Sequence, residues 1–210
     1  MARIKNGVLG GFSGKAGSVI GFQRRGKSFI KGLNKGAPKP PTLNQLASRE
    51  KFKLLQNWRS YLTSFFAISF KNHTHERSAQ NAAHRFNANI VKGEYPNFEI
   101  DYTAIVISQG NLPTLKEVMM TVDENRKLHF TWTDTYEKGA EHSDLVALLI
   151  FFNKKSTHAG STTAAHRMDK GFSFQLSLAK TLTHADVYIT VLSDDRERAA
   201  NSQYVGRAIF

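Results

Sequence analysis

The 210-residue sequence predicts an α+β protein built from a basic, glycine-rich N-terminal arm or hairpin, a helical segment and a C-terminal β-sandwich. Three observations predict this class. The first 60 residues carry the whole net charge of +12. From Leu43 apolar residues recur at the three- and four-residue spacing of a helix, and from Tyr95 they recur at the two-residue spacing of strands. We therefore divide the chain into a basic arm and linker, a helical segment, a connecting strand and a β-sandwich, at residues 1–41, 42–94, 95–111 and 112–210.

Basic residues are concentrated at the N-terminus. Residues 1–60 contain thirteen Lys and Arg and one acidic residue, Glu50, whereas the rest of the chain is balanced. A basic arm on a neutral body attracts polyanions and speeds encounter with them. Two alternatives stay open: the arm contacts acidic surfaces of neighbouring subunits, or its charge serves solubility alone. The candidate residues for contact with nucleic acid or another subunit are Arg3, Lys5, Lys15, Arg24, Arg25, Lys27, Lys31, Lys35 and Lys39.

Nine glycines lie within residues 1–36 and disfavour a helix there, since each costs roughly 1 kcal/mol relative to Ala. Short apolar patches between the glycines suit short strands or an extended arm. Val19–Gln23 and Lys27–Lys31 are predicted to pair as a hairpin around Arg24-Arg25-Gly26. Such a hairpin would bring several positive charges to its tip.

The helical segment follows a stiff, proline-rich linker at Lys35–Pro41. Thr42 begins the first helix and, with Gln45 three residues later, forms a capping-box pattern. The apolar stripe from Leu43 to Phe66 predicts one buried face. A second, weaker helix is predicted over Ser78–Val91.

The remainder of the chain has the pattern of short strands separated by turns. Leu145–Phe152 is continuously apolar, as expected of a strand covered on both faces. No helical pattern lies between the strands, so we predict a β-sandwich over roughly residues 112–210. The alternating apolar residues are Phe98, Ile100 and Tyr102; Val118, Met120 and Val122; Leu128, Phe130 and Trp132; Phe172, Phe174, Leu176 and Leu178; and Val187, Ile189 and Val191, before a last strand at Tyr204–Phe210.

Two stretches of this half resemble a fibronectin type III or immunoglobulin-like domain. They are Val122 before a turn with Trp132 in the next strand, and Tyr188-Ile189-Thr190-Val191 in a late strand. The resemblance implies that Trp132 is the core Trp between the sheets and that Tyr188 is a corner tyrosine. The chain has no Cys, so the cysteine pair of antibody domains is absent.

The whole chain resembles a family of bacterial proteins of about the same length, mostly from the Bacteroidota, whose function is unknown. This resemblance implies no catalytic residues. A weaker likeness connects Thr42–Phe52 to helices of phage-encoded structural proteins. The motifs that carry the family resemblance are Gly7-Val8-Leu9-Gly10, Phe12-Ser13-Gly14-Lys15, Gly17, Pro40-Pro41-Thr42, Gln45-Leu46-Ala47, Arg49, Lys51-Phe52, Tyr95-Pro96-Asn97-Phe98, Gly110-Asn111-Leu112-Pro113 and Phe130-Thr131-Trp132-Thr133-Asp134.

Residues with the chemistry of a catalytic or metal site are sparse. The lack of Cys excludes disulfides, thiolate metal sites and Cys nucleophiles. His73 and His75, with Glu76 beside them and His84 further on, form the densest cluster of metal-ligand types. No third ligand has a suitable spacing to the His73–His75 pair, which favours a solvated loop. We predict no catalytic, cofactor or metal residues, and a protein that is not an enzyme.

The charge division and the glycine-rich arm favour a non-enzymatic structural or assembly protein. We expect it to form homo-oligomers, as a phage-like virion or filament component, with the arm on neighbouring subunits or on DNA or RNA. The alternatives are a sequence-nonspecific nucleic-acid-binding accessory protein and a partner-binding β-sandwich module. The sequence contains no run of about 18 apolar residues, so we expect no membrane-spanning helix. Without a secretory signal, we expect a cytoplasmic or particle-associated location.

Overall fold

The computed structural model describes residues 3–4, 10–24, 26–33, 40–74, 78–133, 137–152, 158–176 and 183–210. The chain is mostly β, with helices and several antiparallel sheets, which confirms mixed α and β content. It divides into two compact units, residues 1–42 (the N-terminal unit) and residues 43–210 (the C-terminal unit).

The N-terminal unit is a four-stranded antiparallel sheet in the order β1-β2-β3-β4. Its strands are β1 Arg3–Ile4, β2 Phe12–Ala16, β3 Val19–Arg24 and β4 Lys27–Gly32. The predicted hairpin is confirmed, because Arg24 pairs with Lys27 across a two-residue turn whose Gly26 has a φ of 74°. The extended-arm alternative is wrong for the described residues.

The C-terminal unit begins with three helices, α1 Leu43–Ser60, α2 Thr63–Ser69 and α3 Ala79–Phe86. The apolar stripe predicted as one continuous helix through Phe66 is broken after Ser60. There the Ser60 hydroxyl donates to the carbonyl oxygen of Asn57 at 2.7 Å, and the Thr63 hydroxyl donates to that of Ser60 at 2.9 Å. Such local bonds compete with the helical pattern and favour a turn.

The second predicted helix is present but shorter than Ser78–Val91. Ser78 caps its start, and Asn87 follows its last residue. The Asn87 amide nitrogen donates to the carbonyl oxygens of Ala83 at 2.9 Å and Val106 at 2.8 Å, and its amide oxygen accepts from the Val106 N–H. The side chain of Asn87 therefore ties the helix end to a distant segment, and a strand starts at Val91.

The strands of the C-terminal unit are β5 Val91–Glu94, β6 Asn97–Ile100, β7 Lys116–Val122, β8 Lys127–Thr133, β9 Leu145–Phe152, β10 His158–His166, β11 Gly171–Gln175, β12 His184–Leu192 and β13 Gln203–Ile209. They form a four-stranded sheet β10-β9-β12-β13, a three-stranded sheet β11-β8-β7 and a hairpin β5-β6. All their strand pairs are antiparallel. The connecting strand predicted within residues 95–111 is β6, which pairs with β5 in a hairpin.

Strand β9 lies in the core and is buried on both faces. Val146, Leu148, Ile150 and Phe152 share one hydrophobic cluster with β8 of the three-stranded sheet. Leu145, Ala147, Leu149 and Phe151 share a second cluster with the helices. The prediction of a strand covered on both faces is confirmed. The helices and the three-stranded sheet therefore cover opposite faces of the four-stranded sheet.

Trp132 and Tyr188 fall on different sides of the four-stranded sheet. Trp132 is buried in the cluster between the two sheets, as the resemblance implied, and its indole N–H donates to the carbonyl oxygen of Arg167 at 2.9 Å. Tyr188 points into the helix-side cluster, where its hydroxyl bonds to Tyr102 and Ile105. The corner-tyrosine role is therefore wrong, because a corner tyrosine bonds to backbone a few residues upstream, whereas the partners of Tyr188 are 83 and 86 residues away.

Candidate functional site

The sheet of the N-terminal unit gathers basic and aromatic side chains on one face. Residues directly opposite one another on neighbouring strands share a face, and Phe22 is opposite Phe29, as Arg24 is opposite Lys27. The rings of Phe22 and Phe29 stack with centroids 5.5 Å apart and planes 20° apart. The ammonium nitrogen of Lys31 lies 5.8 Å from the centroid of Phe22. Contacts and register thus agree on one face.

The register of the other two strands adds further cations to this face. Lys15 is opposite Ile20, which alternates with Phe22 along β3. Arg3 is opposite Ser13 on β2. Ser13 alternates with Phe12, whose ring lies beside Gly21 on the other face of the sheet. We call the resulting surface the basic-aromatic face; it consists of Arg3, Lys15, Ile20, Phe22, Arg24, Lys27, Phe29 and Lys31.

The opposite face carries small, apolar and uncharged polar residues. Gln23 donates from its amide nitrogen to the Ser28 hydroxyl at 3.5 Å, and Ile30 is 66% exposed. Gly21 is required by a close approach, because a Cβ there would lie 2.3 Å from the carbonyl oxygen of Phe12. We call this surface the glycine-aliphatic face; its members are Phe12, Val19, Gly21, Gln23, Ser28 and Ile30.

No acidic residue compensates the basic-aromatic face from within its own unit. Residues 1–49 contain no Asp or Glu, and the five cations of the face are exposed. Among the described residues, none of these five cations forms an ion pair. Since strands are about 4.8 Å apart, the charges form one positive patch rather than isolated sites.

The structure thus brings together five of the nine candidate residues, namely Arg3, Lys15, Arg24, Lys27 and Lys31. The other four candidates, Lys5, Arg25, Lys35 and Lys39, lie outside the described residues. Sequence reasoning did not identify the sorting of cations onto one face. A signal was available, because the short connection between Arg24 and Lys27 sets which residues of β3 and β4 lie opposite one another.

The histidine cluster is dispersed as far as the structure describes it. His75 and Glu76 lie outside the described residues. The ring of His73 lies 5.2 Å from Phe86, and the ring of His84 lies 5.0 Å from Phe52. Burial, with a smaller contribution from Arg59, lowers the pKa of His84. No group of three metal-ligand side chains occurs among the described residues. The absence of a metal site stays a prediction.

A cavity of about 610 Å³ in the C-terminal unit was not predicted from the sequence. Helix α1, the segment around β6 and the β12–β13 edge line it. In its wall, buried Asp186 accepts two hydrogen bonds of 3.0 Å from the Arg207 guanidinium and one of 2.7 Å from the Tyr204 hydroxyl. Burial and Asp186 raise the pKa of Tyr204 to about 12. These groups satisfy one another and hold β12 to β13.

One family model matches residues 11–206, and its description is a family of unknown function, DUF6266. The chain belongs to this family. No curated protein matches this DUF6266 chain. The match confirms the resemblance to an uncharacterised family, while the bacterial phylum stays a prediction. The matched region of the DUF6266 chain includes β2, β3 and β4 together with all but the end of the C-terminal unit.

The helices within the described ranges of this DUF6266 chain are all too short or too polar to cross a membrane.

Proposed function

We propose that this DUF6266 protein is a non-enzymatic structural protein that self-associates through its N-terminal unit, as a component of a filament or virion-like particle. One observation carries the proposal: the sheet of the N-terminal unit has exposed apolar side chains on both faces. Phe29 on the basic-aromatic face is 44% exposed, and Ile30 on the opposite face is 66% exposed. A sheet without a covered face gains little hydrophobic stabilisation and is completed by a partner.

Charge complementarity favours a second copy of the chain as that partner. The N-terminal unit has no acidic residue, and all seventeen acidic residues lie within residues 50–210. Glu94, Glu99 and Glu124 are among the exposed carboxylates of the C-terminal unit. Contact between the N-terminal unit of one copy and the C-terminal unit of the next is head-to-tail. Repetition of such a contact builds rings or filaments.

The test is the mass of the full chain by light scattering over a range of concentrations, with Ile30→Gln compared with wild type. Loss of one exposed isoleucine from an interface removes roughly 1–2 kcal/mol, so self-association should weaken about 5- to 30-fold. Ile209→Gln is the matched control, because Ile209 is 75% exposed on β13 of the C-terminal unit. A wild-type chain that stays monomeric at high micromolar concentration, or an Ile30→Gln variant that associates like wild type, contradicts the proposal.

We also propose that the two sheets of the C-terminal unit form a β-sandwich of the fibronectin type III or immunoglobulin kind. Strand order supports it. Lettering β7 to β13 as A, B, C, C′, E, F and G assigns A, B and E to one sheet and C′, C, F and G to the other. Immunoglobulin-type sandwiches divide A, B and E from C, F and G in the same way. A crystal structure with another strand order would contradict this assignment.

A second candidate function is sequence-nonspecific nucleic-acid binding, as an accessory protein. The basic-aromatic face favours it, because five exposed cations share one surface. If all five contact phosphates of a single strand, affinity should fall on the order of a hundredfold between 50 and 200 mM salt. Fluorescence anisotropy of a labelled oligonucleotide, titrated with the full chain at several salt concentrations, measures this slope. Salt-independent binding, or no binding at low salt, contradicts this function.

A further inference from the structure

We infer that the basic-aromatic face is a binding site for single-stranded nucleic acid, in which Phe22 and Phe29 stack on bases while the surrounding cations contact phosphates. This inference rests on the second candidate function, nucleic-acid binding by the N-terminal unit. It adds the form of the nucleic acid, the residues that bind it and the way in which they do so.

The aromatic pair Phe22 and Phe29 is exposed on the sheet. Phe22 is 37% exposed and Phe29 is 44% exposed, although both lie in paired strands of a sheet. Their rings stack on one another nearly in parallel, and the exposed part of each ring is open to a further stacking partner. A base that stacks on such a ring gains affinity of roughly 5- to 150-fold, whatever its identity, because every base has a π-face.

Cations lie on both sides of the aromatic pair along the sheet. Arg24 and Lys27 flank the aromatic pair at the hairpin end of β3 and β4. Lys31 flanks it at the other end of β4, with its ammonium group near the Phe22 ring. Lys27 and Lys31 are four residues apart on β4, which is roughly 13 Å along a strand. A single strand that crosses the face can therefore place bases on the two rings while its phosphates contact cations on either side of them.

Exposed aromatic rings favour single strands over duplexes. In a duplex the faces of the bases are stacked on one another, so that a protein reaches base edges and phosphates only. The basic-aromatic face offers rings and cations. The amide of Gln23 is on the opposite face, bonded to Ser28, and does not reach base edges here. The rings therefore contribute to binding only when bases are unpaired, and sequence discrimination should be weak.

The experiment measures the affinity of the full chain for a labelled oligothymidylate of about 20 nucleotides and for a duplex of the same length, at about 100 mM salt. Wild type is expected to bind the single strand at least about tenfold more tightly than the duplex. Phe22→Leu/Phe29→Leu keeps apolar strand residues and removes stacking. It should weaken single-strand binding about tenfold or more and leave duplex binding and the salt slope unchanged.

Four further variants sharpen the test. Phe22→Tyr/Phe29→Tyr retains both rings and should restore single-strand binding. Lys27→Gln/Lys31→Gln should weaken the binding of both the single strand and the duplex. It should also reduce the slope of single-strand affinity against salt concentration by about 1.4. Val19→Ile is the matched control on the glycine-aliphatic face and should bind like wild type, since Val19 lies opposite Gly32, where a side chain has room. Phe22→Trp gives an independent readout, since stacking of its indole with a base should quench the indole emission.

The outcomes separate the inference from the function on which it rests. If wild type binds single strand and duplex equally well, and Phe22→Leu/Phe29→Leu binds like wild type, the stacking site is overturned. Binding through phosphate contacts is then still supported. Saturating single-strand binding that leaves the indole emission of the Phe22→Trp variant unchanged overturns it as well. Failure to bind either ligand at low salt overturns the nucleic-acid function itself, and the face is then assigned to an acidic surface of a second copy.

Discussion

The hydroxyl of Tyr188 donates a hydrogen bond of 2.9 Å to the carbonyl oxygen of Tyr102. The same hydroxyl oxygen accepts a hydrogen bond of 2.9 Å from the backbone N–H of Ile105. Tyr188 is 1% exposed, and burial raises its pKa above the ordinary tyrosine value. One side chain of β12 thus fixes the segment that connects β6 to the two larger sheets.

Replacing Tyr188 with Phe should therefore destabilise the C-terminal unit without creating a large cavity. The substitution leaves the buried N–H of Ile105 and the carbonyl oxygen of Tyr102 without this partner, at a cost of about 1–3 kcal/mol. Urea denaturation followed by circular dichroism measures the free energy of unfolding. Tyr204→Phe is the control, because Tyr204 is more exposed and its partner Asp186 keeps the two bonds from Arg207. Equal losses for the two variants would contradict the assigned role.

The buried ion pair of Asp144 and Arg167 should show strong coupling. Both side chains are 1% exposed, and Arg167 Nε lies 3.4 Å from Asp144 Oδ2. Arg167 also donates to the carbonyl oxygen of Pro113 at 2.6 Å. Asp144→Ala leaves a buried guanidinium without its counter-charge and should cost about 3–5 kcal/mol of unfolding free energy.

The double variant Asp144→Leu/Arg167→Met removes both charges and should lose less stability than Asp144→Ala. A double-mutant cycle by urea denaturation tests this expectation. Additive losses from the single variants would mean that the two side chains act independently.

Gly21→Val should disrupt the sheet of the N-terminal unit. The added Cβ would meet the Phe12 carbonyl oxygen, which is backbone and has little room to move. Oligonucleotide binding and self-association should both be lost, whereas the unfolding transition of the C-terminal unit should be unchanged. Gly32→Ala is the matched control, since a Cβ at Gly32 meets no atom within 4 Å. A Gly21→Val variant that binds and associates like wild type would contradict the assignment of both functions to this sheet.

The pattern of apolar residues along the sequence predicted those strands and helices in which burial requires apolar residues at regular positions. The continuous apolar run Leu145–Phe152 gave the bounds of β9 because burial on both faces requires apolar residues at every position. Strand β10 was missed, because its residues are mostly Ala, Ser, Thr and Gly and it lies at a sheet edge. Its pairing also shifts between Ser161 and Ala165, which breaks any alternation.

Long-range partners could not be predicted in the same way. Nothing near Tyr188 in the sequence identifies Tyr102 as the acceptor of its hydroxyl, and the partner of Asn87 at Val106 is equally distant. The candidate site was predictable in part. Its charge was evident from composition, but its single face depends on the register of strands, which Gly21 and Gly26 permit through close approach and a positive φ.

Asp101 should give the stability of the C-terminal unit a specific dependence on acid. Its carboxylate pairs with Lys92 at 2.5 Å and accepts from the hydroxyl and the N–H of Thr103 at 2.6 and 3.0 Å. The Lys92 interaction, followed by the Thr103 hydrogen bonds, lowers the pKa of Asp101 from 3.8 to about 2. A lowered pKa means that the fold prefers the ionised form. The resulting stabilisation is fully present above pH 4 and is lost as the pH falls towards 2.

Asp101→Asn should therefore reduce the free energy of unfolding by about 1 kcal/mol at pH 6, a value that allows for screening by solvent. The difference from wild type should shrink steadily between pH 4 and pH 2, since wild-type Asp101 becomes neutral there. Urea denaturation at each pH measures the difference, with Glu99→Gln as a control for loss of a neighbouring exposed carboxylate. If the Asp101→Asn deficit kept its size down to pH 2, the lost stability would come from packing or amide geometry, and the charge on Asp101 would not be its cause.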